Sequence, residues 1–142
     1  MADLTADRLA IRDLVESYAA GCDRRDIDLL RPVFVDGGTI TVHWLDRDAT
    51  SMTAPNDLER IPTGLARYDQ TYHFLGNHRV VLDGDRATGD TYCMAHHLTG
   101  DDDHVMHIRY EDSFERTADG WRITTRDLRL LWTTNEVVGT HP

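Results

Sequence analysis

The chain has 142 residues, a formal net charge of -10 and a hydrophobic fraction of 40%. That length fits one domain, residues 1–142, with room for a single core or for a sheet wrapped around a pocket. The hydrophobic fraction argues against disorder, and the acidic balance excludes nucleic acid and anionic membrane as expected partners, since both reward basic surfaces. All fifteen basic residues are arginine, so no lysine Schiff base or lysine nucleophile is available. Cys22 and Cys93 lie far apart in apolar segments, the pattern of reduced thiols in an intracellular chain. No apolar run approaches the roughly 20 residues that span a bilayer, and Met1-Ala2-Asp3-Leu4 lacks the features of a signal peptide. The expected location is the cytoplasm.

The first element is a helix from Thr5 to about Cys22, with Thr5 as N-cap. Ile11, Leu14, Val15, Tyr18 and Cys22 recur at helical spacing and form its apolar stripe. Gly21 marks the fraying end. A short second helix follows, with Asp26 as cap and Pro32 as its stop. Thr39 to Leu45 alternates as a strand, with Ile40, Val42 and Trp44 on one face. Residues 46–56 form a long polar loop, the position of a lid or pocket rim. Asp57 to Tyr68 is predicted helical, with Leu58, Ile61 and Leu65 inward. Four long strands then follow: Thr71 to Leu82, Ala87 to Thr99, His104 to Thr117 and Trp121 to Thr133. Turns at Gly84, Gly100 and Gly120 separate them.

Helices first and an antiparallel meander second imply an α+β architecture. A strongly curved antiparallel sheet covered by the helices would enclose a conical pocket, and Gly76 and Gly89 are the expected sites for the bulges that curvature needs. Alternation then sorts the strands. Gly89, Thr91, Cys93, Ala95 and His97 share a face whose small side chains leave room for a ligand, which makes His97 a better pocket candidate than His96. Arg126 shares a face with Leu128, Leu130 and Trp132, and a guanidinium there needs a partner. Asp23 or an anionic ligand group could serve. His73 points away from Tyr72 and Phe74, so either it faces a half-polar cavity or Gly76 breaks the alternation. Both faces of a curved sheet can be buried if the outer one forms a dimer. Tyr18 could reach the pocket from the side of the first helix.

Asp23, just after that stripe, and His73, inside an apolar strand, carry the most chemistry. A carboxylate that orients an imidazole and stabilises its protonated form makes a general base effective near neutral pH. His43, His104 and His107 sit on strands or turns with no such partner in view. The run Asp101-Asp102-Asp103 lacks the alternating ligands of a calcium loop, and no ligand spacing supports a metal site.

The segment Gly21-Cys22-Asp23-Arg24-Arg25-Asp26, the strand Tyr72-His73-Phe74-Leu75-Gly76-Asn77 and the hairpin from Tyr110-Glu111-Asp112 to Gly120-Trp121-Arg122-Ile123 resemble the SnoaL-like branch of the nuclear transport factor 2-like superfamily. The resemblance covers about residues 5 to 134. Scytalone dehydratases, lindane dehydrochlorinases and bile acid 7α-dehydratases are similar in placing an acidic residue and a histidine where Asp23 and His73 stand. This chain departs from the scytalone dehydratases at Cys22 and Trp44, from the lindane dehydrochlorinases at Tyr18 and from the bile acid 7α-dehydratases around His96 or His97, so the resemblance implies no single substrate. It implies a cystatin-like α+β barrel and cofactor-independent elimination or proton transfer on a small, apolar, ring-containing ligand. His73, Asp23, Tyr18, His97 and Arg126 would be the catalytic group, walled by Leu14, Cys22, Trp44, Phe74, Cys93, Ala95 and Trp132. Relatives imply a homodimer or homotrimer. A non-catalytic binding or dimerisation module, and the small subunit of a ring-hydroxylating dioxygenase, are the alternative readings.

Overall fold

The computed structural model describes residues 3–139. Its first helix, α1, spans Leu4–Arg24 and is capped by Asp3, whose carboxylate accepts from the Thr5 and Ala6 amides. The cap thus falls two residues before the expected Thr5, because Asp3 satisfies two of the orphan amides at once. The apolar stripe is as expected: Ile11, Leu14, Val15, Tyr18 and Cys22 are all buried. Asp7, in the first turn, accepts from Arg116 at 2.7 and 2.9 Å and from the Trp121 indole at 3.0 Å. These hydrogen bonds fix the start of the helix to the sheet, with the Arg116 bonds foremost in lowering the Asp7 carboxyl to about 2.

Gly21 does not fray the helix, which runs on to Arg24. A Cβ at Gly21 would stand 2.7 Å from the Leu30 side chain, so glycine here permits α2 (Ile27–Leu30, capped by Asp26) to fold back tightly. Arg25 takes the left-handed conformation, φ 49, that turns the chain between the two helices.

β1 (Phe34–His43) starts earlier than the alternation suggested and ends before Trp44. The polar loop after it contains a short strand, β2 (Thr50–Thr53), which pairs antiparallel with β1. The next helix is only α3 (Arg60–Leu65), flanked by turns. Then come β3 (Gln70–Asp83), β4 (Arg86–Thr99), β5 (Asp102–Thr117) and β6 (Gly120–Val137). They form one curved, unclosed six-stranded sheet in the order β2-β1-β6-β5-β4-β3. The β1–β6 pairing is parallel; every other pairing is antiparallel.

Curvature comes from bulges. One lies in β3 between Leu75 and His78, at the expected Gly76. Two more break the β5–β6 register, opposite His107/Ile108 and Ser113/Phe114. Gly89 pairs regularly with Val80 and is no bulge. A Cβ there would lie 2.6 Å from the Arg79 carbonyl oxygen, so Gly89 serves close strand approach. α1 packs along the concave face, and Ile11, Val15, Leu30, Ile40, Phe114 and Ile123 form the core between helix and sheet. Among the described residues no helix is long and apolar enough to cross a membrane.

Candidate functional site

Between the C-terminal part of α1, α3 and the concave face lies a cavity of about 350 Å³. Tyr18 and Cys22 from α1, His73 from β3, His97 from β4, and Trp44, which follows β1, all line it. Apolar walls come from Met52, Ile61, Met106, Ile108, Leu128 and Leu130.

Asp23 and His73, fifty residues apart, are in direct contact. The His73 Nδ1–H donates to Asp23 Oδ1 at 2.6 Å, since a carboxylate can only accept. The His73 amide donates to Oδ2 at 2.8 Å, and the Thr71 hydroxyl donates to Oδ1 at 3.0 Å. Partial burial pushes the Asp23 carboxyl upward, but these hydrogen bonds from His73 and Thr71 outweigh it, and the acid is held below the usual carboxylate range. The carboxylate is therefore fixed on two oxygens and the imidazole in one tautomer. That leaves Nε2 as the ring nitrogen available to a ligand.

Arg25 braces this arrangement. Its guanidinium donates to the carbonyls of Asp23, Leu65 and Tyr68 at 3.0, 3.0 and 3.1 Å. The end of α1 is thereby tied to the segment after α3. One result is that the Tyr68 ring lies 4.8 Å from the His97 ring, which in turn meets His73 edge-on at 5.9 Å. His97 Nδ1 is 3.2 Å from the His104 carbonyl, which makes Nδ1 the protonated nitrogen. Burial, with the neighbouring His73 and His104, lowers the His97 ring to about 4 despite that hydrogen bond. At neutral pH His97 is thus an uncharged ring whose Nε2 accepts, which does not suit it to protonate a leaving group.

Tyr18 lies at the cavity floor, 4% exposed. The Cys22 thiol follows one turn further along α1, and burial drives the Tyr18 ionisation well above the ordinary tyrosine value. Cys22 and Cys93 are likewise pushed up to about 12, chiefly by burial. Both are inert thiols, free of any disulfide.

Arg126 is not joined to Asp23. Its guanidinium is fully buried beneath the cavity, clasped by Asp112 at 2.8 and 2.9 Å. The Tyr18 and Tyr110 rings lie 4.4 and 4.0 Å from it. A desolvated guanidinium between two aromatic faces, with a bidentate carboxylate, is a satisfied core ion pair apart from its Nη1 atom.

Five of the expected wall residues lie elsewhere. Leu14, Cys93 and Ala95 are buried in the core behind the cavity. Phe74 and Trp132 are on the convex face, each 53% exposed. Phe74 stacks with Tyr72, and Trp132 stacks with His107 at 4.3 Å. Tyr92 and Met94, which alternate with Cys93 and Ala95 on β4, are exposed on that same face. Arg25, Thr71 and Tyr68 were not foreseen. Tyr68 and Arg25 act through turns, which carry no periodic signal, whereas Thr71 shares the alternation of His73 and could have been found from it. Among the described residues no three His, Cys, Asp or Glu side chains group so as to hold a metal ion.

The family model for the SnoaL-like domain matches residues 3–127, and the chain belongs to that family. It is 32% identical over 124 residues to the uncharacterized protein Rv2910c of Mycobacterium tuberculosis, covering 85% of this chain and 83% of that one. Among solved structures it is similar to the Kfla4162 protein from Kribbella flavida, at 26% identity and a TM-score of 0.84, covering 93% of this chain and 95% of that one. The fold also matches the hexachlorocyclohexane dehydrochlorinase LinA-type3 from Novosphingobium barchaimii, at 19% identity and a TM-score of 0.84 over 97% of each chain.

Proposed function

We propose that the protein is a cofactor-independent lyase or isomerase that abstracts a proton from a small, apolar, ring-containing substrate. The observation that carries this reading is the 2.6 Å contact between His73 Nδ1 and Asp23 at the wall of a largely apolar cavity. In this reading His73 Nε2 takes a proton from carbon beside a carbonyl or similar activating group. Asp23 holds the tautomer and stabilises the imidazolium as it forms. The neutral Tyr18 hydroxyl donates to the developing enolate oxygen or the departing hydroxyl. His97 orients the substrate by accepting a hydrogen bond. Arg126 acts only as a fixed positive charge beneath the floor. Fold similarity to a dehydrochlorinase supports the class of chemistry, while the cavity's own residues carry the assignment.

The exposed aromatic face formed by Tyr72, Phe74, Tyr92 and Trp132 supports assembly as a homodimer or homotrimer, since a patch of this kind usually marks an interface.

The test is hydrogen exchange in D₂O with 2-tetralone, whose α-carbons are activated by a ketone within a bicyclic ring. The wild type is expected to speed deuterium incorporation above the buffer rate, and His73→Ala to reduce that acceleration by at least about 10²-fold with the fold retained. Binding of 2-tetralone with no acceleration by either protein would instead favour a non-catalytic binding module.

A further inference from the structure

The net charge of -10 conceals a local reversal at the cavity. No aspartate or glutamate lines it, yet Arg47, Arg60 and Arg67 all do. Arg60 and Gly64 lie one turn apart on α3 and Arg67 lies in the turn just after it, and all three line the cavity. Open space lies over Gly64, where an added Cβ would meet nothing within 4 Å.

These arginines are held in place but only lightly neutralised. Arg47 lies over the Trp44 ring at 3.9 Å, with Asp46 3.7 Å away. Arg67 lies over the Tyr68 ring at 4.8 Å and donates to its hydroxyl at 2.7 Å. Arg60 makes one long contact, 3.4 Å to the Ser51 carbonyl. Among the described residues Arg60 and Arg67 have no carboxylate within ion-pair distance, and of the arginines in that condition, which include Arg8, Arg24, Arg25, Arg79, Arg86 and Arg122, these two line the cavity. Stacking on an aromatic ring fixes the plane of a guanidinium and leaves its edge donors free for a planar anion.

We infer that the substrate carries an anionic oxygen group, read at the mouth by Arg60 and Arg67 with Arg47 opposite, while its apolar body reaches His73. This rests on the cavity being the substrate site, and it adds the class of substrate. The Tyr68 hydroxyl, accepting from Arg67, keeps its own proton free to donate to the same group. Because the cavity is at the small end of the range for ligand pockets, the anion belongs to a compact acid or to the part of a larger carrier left outside. The shared chemistry is a carboxylate or phosphate oxygen tethered to an apolar ring.

The test is calorimetric titration of the wild type with 2-naphthoate, 2-naphthyl phosphate and the neutral 2-naphthalenemethanol. An exposed charge-assisted contact should favour the anions by roughly five- to tenfold. Arg60→Gln with Arg67→Gln should abolish that preference while the alcohol binds as before, and raising the salt to about 0.5 M should shrink it. A preference for the carboxylate identifies a free acid, and one for the phosphate identifies a phosphorylated carrier. Equal affinity for all three probes in the wild type, or a preference that survives the double substitution, overturns the inference. His73→Ala should keep the full preference, so a failure of the proton-abstraction reading shows in deuterium exchange and a failure of this one shows in titration.

Discussion

Of the three His–Asp pairs among the described residues, His43 meets Asp127 through Nε2 at 2.7 Å, and the other two are built almost alike. On the concave side His73 Nδ1 meets Asp23 at 2.6 Å, and the carboxylate also accepts a backbone amide, that of His73. On the convex side His96 Nδ1 meets Asp103 at 2.6 Å, and that carboxylate accepts the amide of His97. The pairwise geometry does not separate them. Surroundings do: the His73 side chain is 7% exposed beside Tyr18, Cys22 and His97, while that of His96 is 32% exposed and faces the edge of Tyr72. A dyad becomes a candidate catalyst through the water-excluded space it faces, where a bound carbon acid can be held near the ring.

The largest contrast is expected from paired amide substitutions. Asp23→Asn should cut the exchange rate by roughly 10²–10⁴-fold, because an amide can neither fix the productive tautomer nor stabilise the imidazolium. Asp103→Asn should leave it near the wild-type rate, as followed by deuterium uptake. A third carboxylate pair, Arg126–Asp112, sharpens the comparison by separating stability from chemistry. With both side chains fully buried, Asp112→Ala strands a guanidinium and should cost about 3–5 kcal/mol in urea denaturation.

A smaller effect concerns pH. The His97 ring falls from 6.5 to about 4 in the folded state, so between those values the unfolded chain binds the extra proton. His97 therefore contributes stability that is complete above pH 6.5 and is lost as pH falls toward 4. Asp23, whose acid is lowered from 3.8, loses its contribution only below that. Urea midpoints measured across pH 4 to 7 should decline on acidification in the wild type and decline less steeply in His97→Gln, where His78, also lowered by burial, keeps a contribution of this kind.

Much of this was legible in the chain. The α1 stripe, the hairpin turns with positive φ at Gly84, Gly100 and Gly120, and the small-residue face of β4 follow from periodicity and turn chemistry alone. The failures trace to bulges. Leu131 is the extra residue in β6, so Leu130 pairs with Ile108 and Trp132 with His107. Trp132 is thereby carried to the convex face, although simple alternation groups it with Arg126. The bulge opposite Ser113/Phe114 acts in the opposite sense on Arg126, bringing it onto the buried face with Ile123. An unbroken hairpin register would set Glu111 against it, whereas the shifted one sets Asp112 there. Phe74 misled for another reason: its apolarity suggested a wall, but a residue next to His73 on a strand faces the other way. The arginine mouth needed the structure, because it joins residues from the loop after β1 with both ends of α3.

The most direct measurement sets His73→Ala beside His96→Ala in the D₂O exchange assay with 2-tetralone. The two variants remove the same side chain from matching dyads on opposite faces. Loss of the acceleration in His73→Ala, with His96→Ala near the wild-type rate, is the expected result. Equal rates in the two variants would contradict the assignment of proton abstraction to the Asp23–His73 pair.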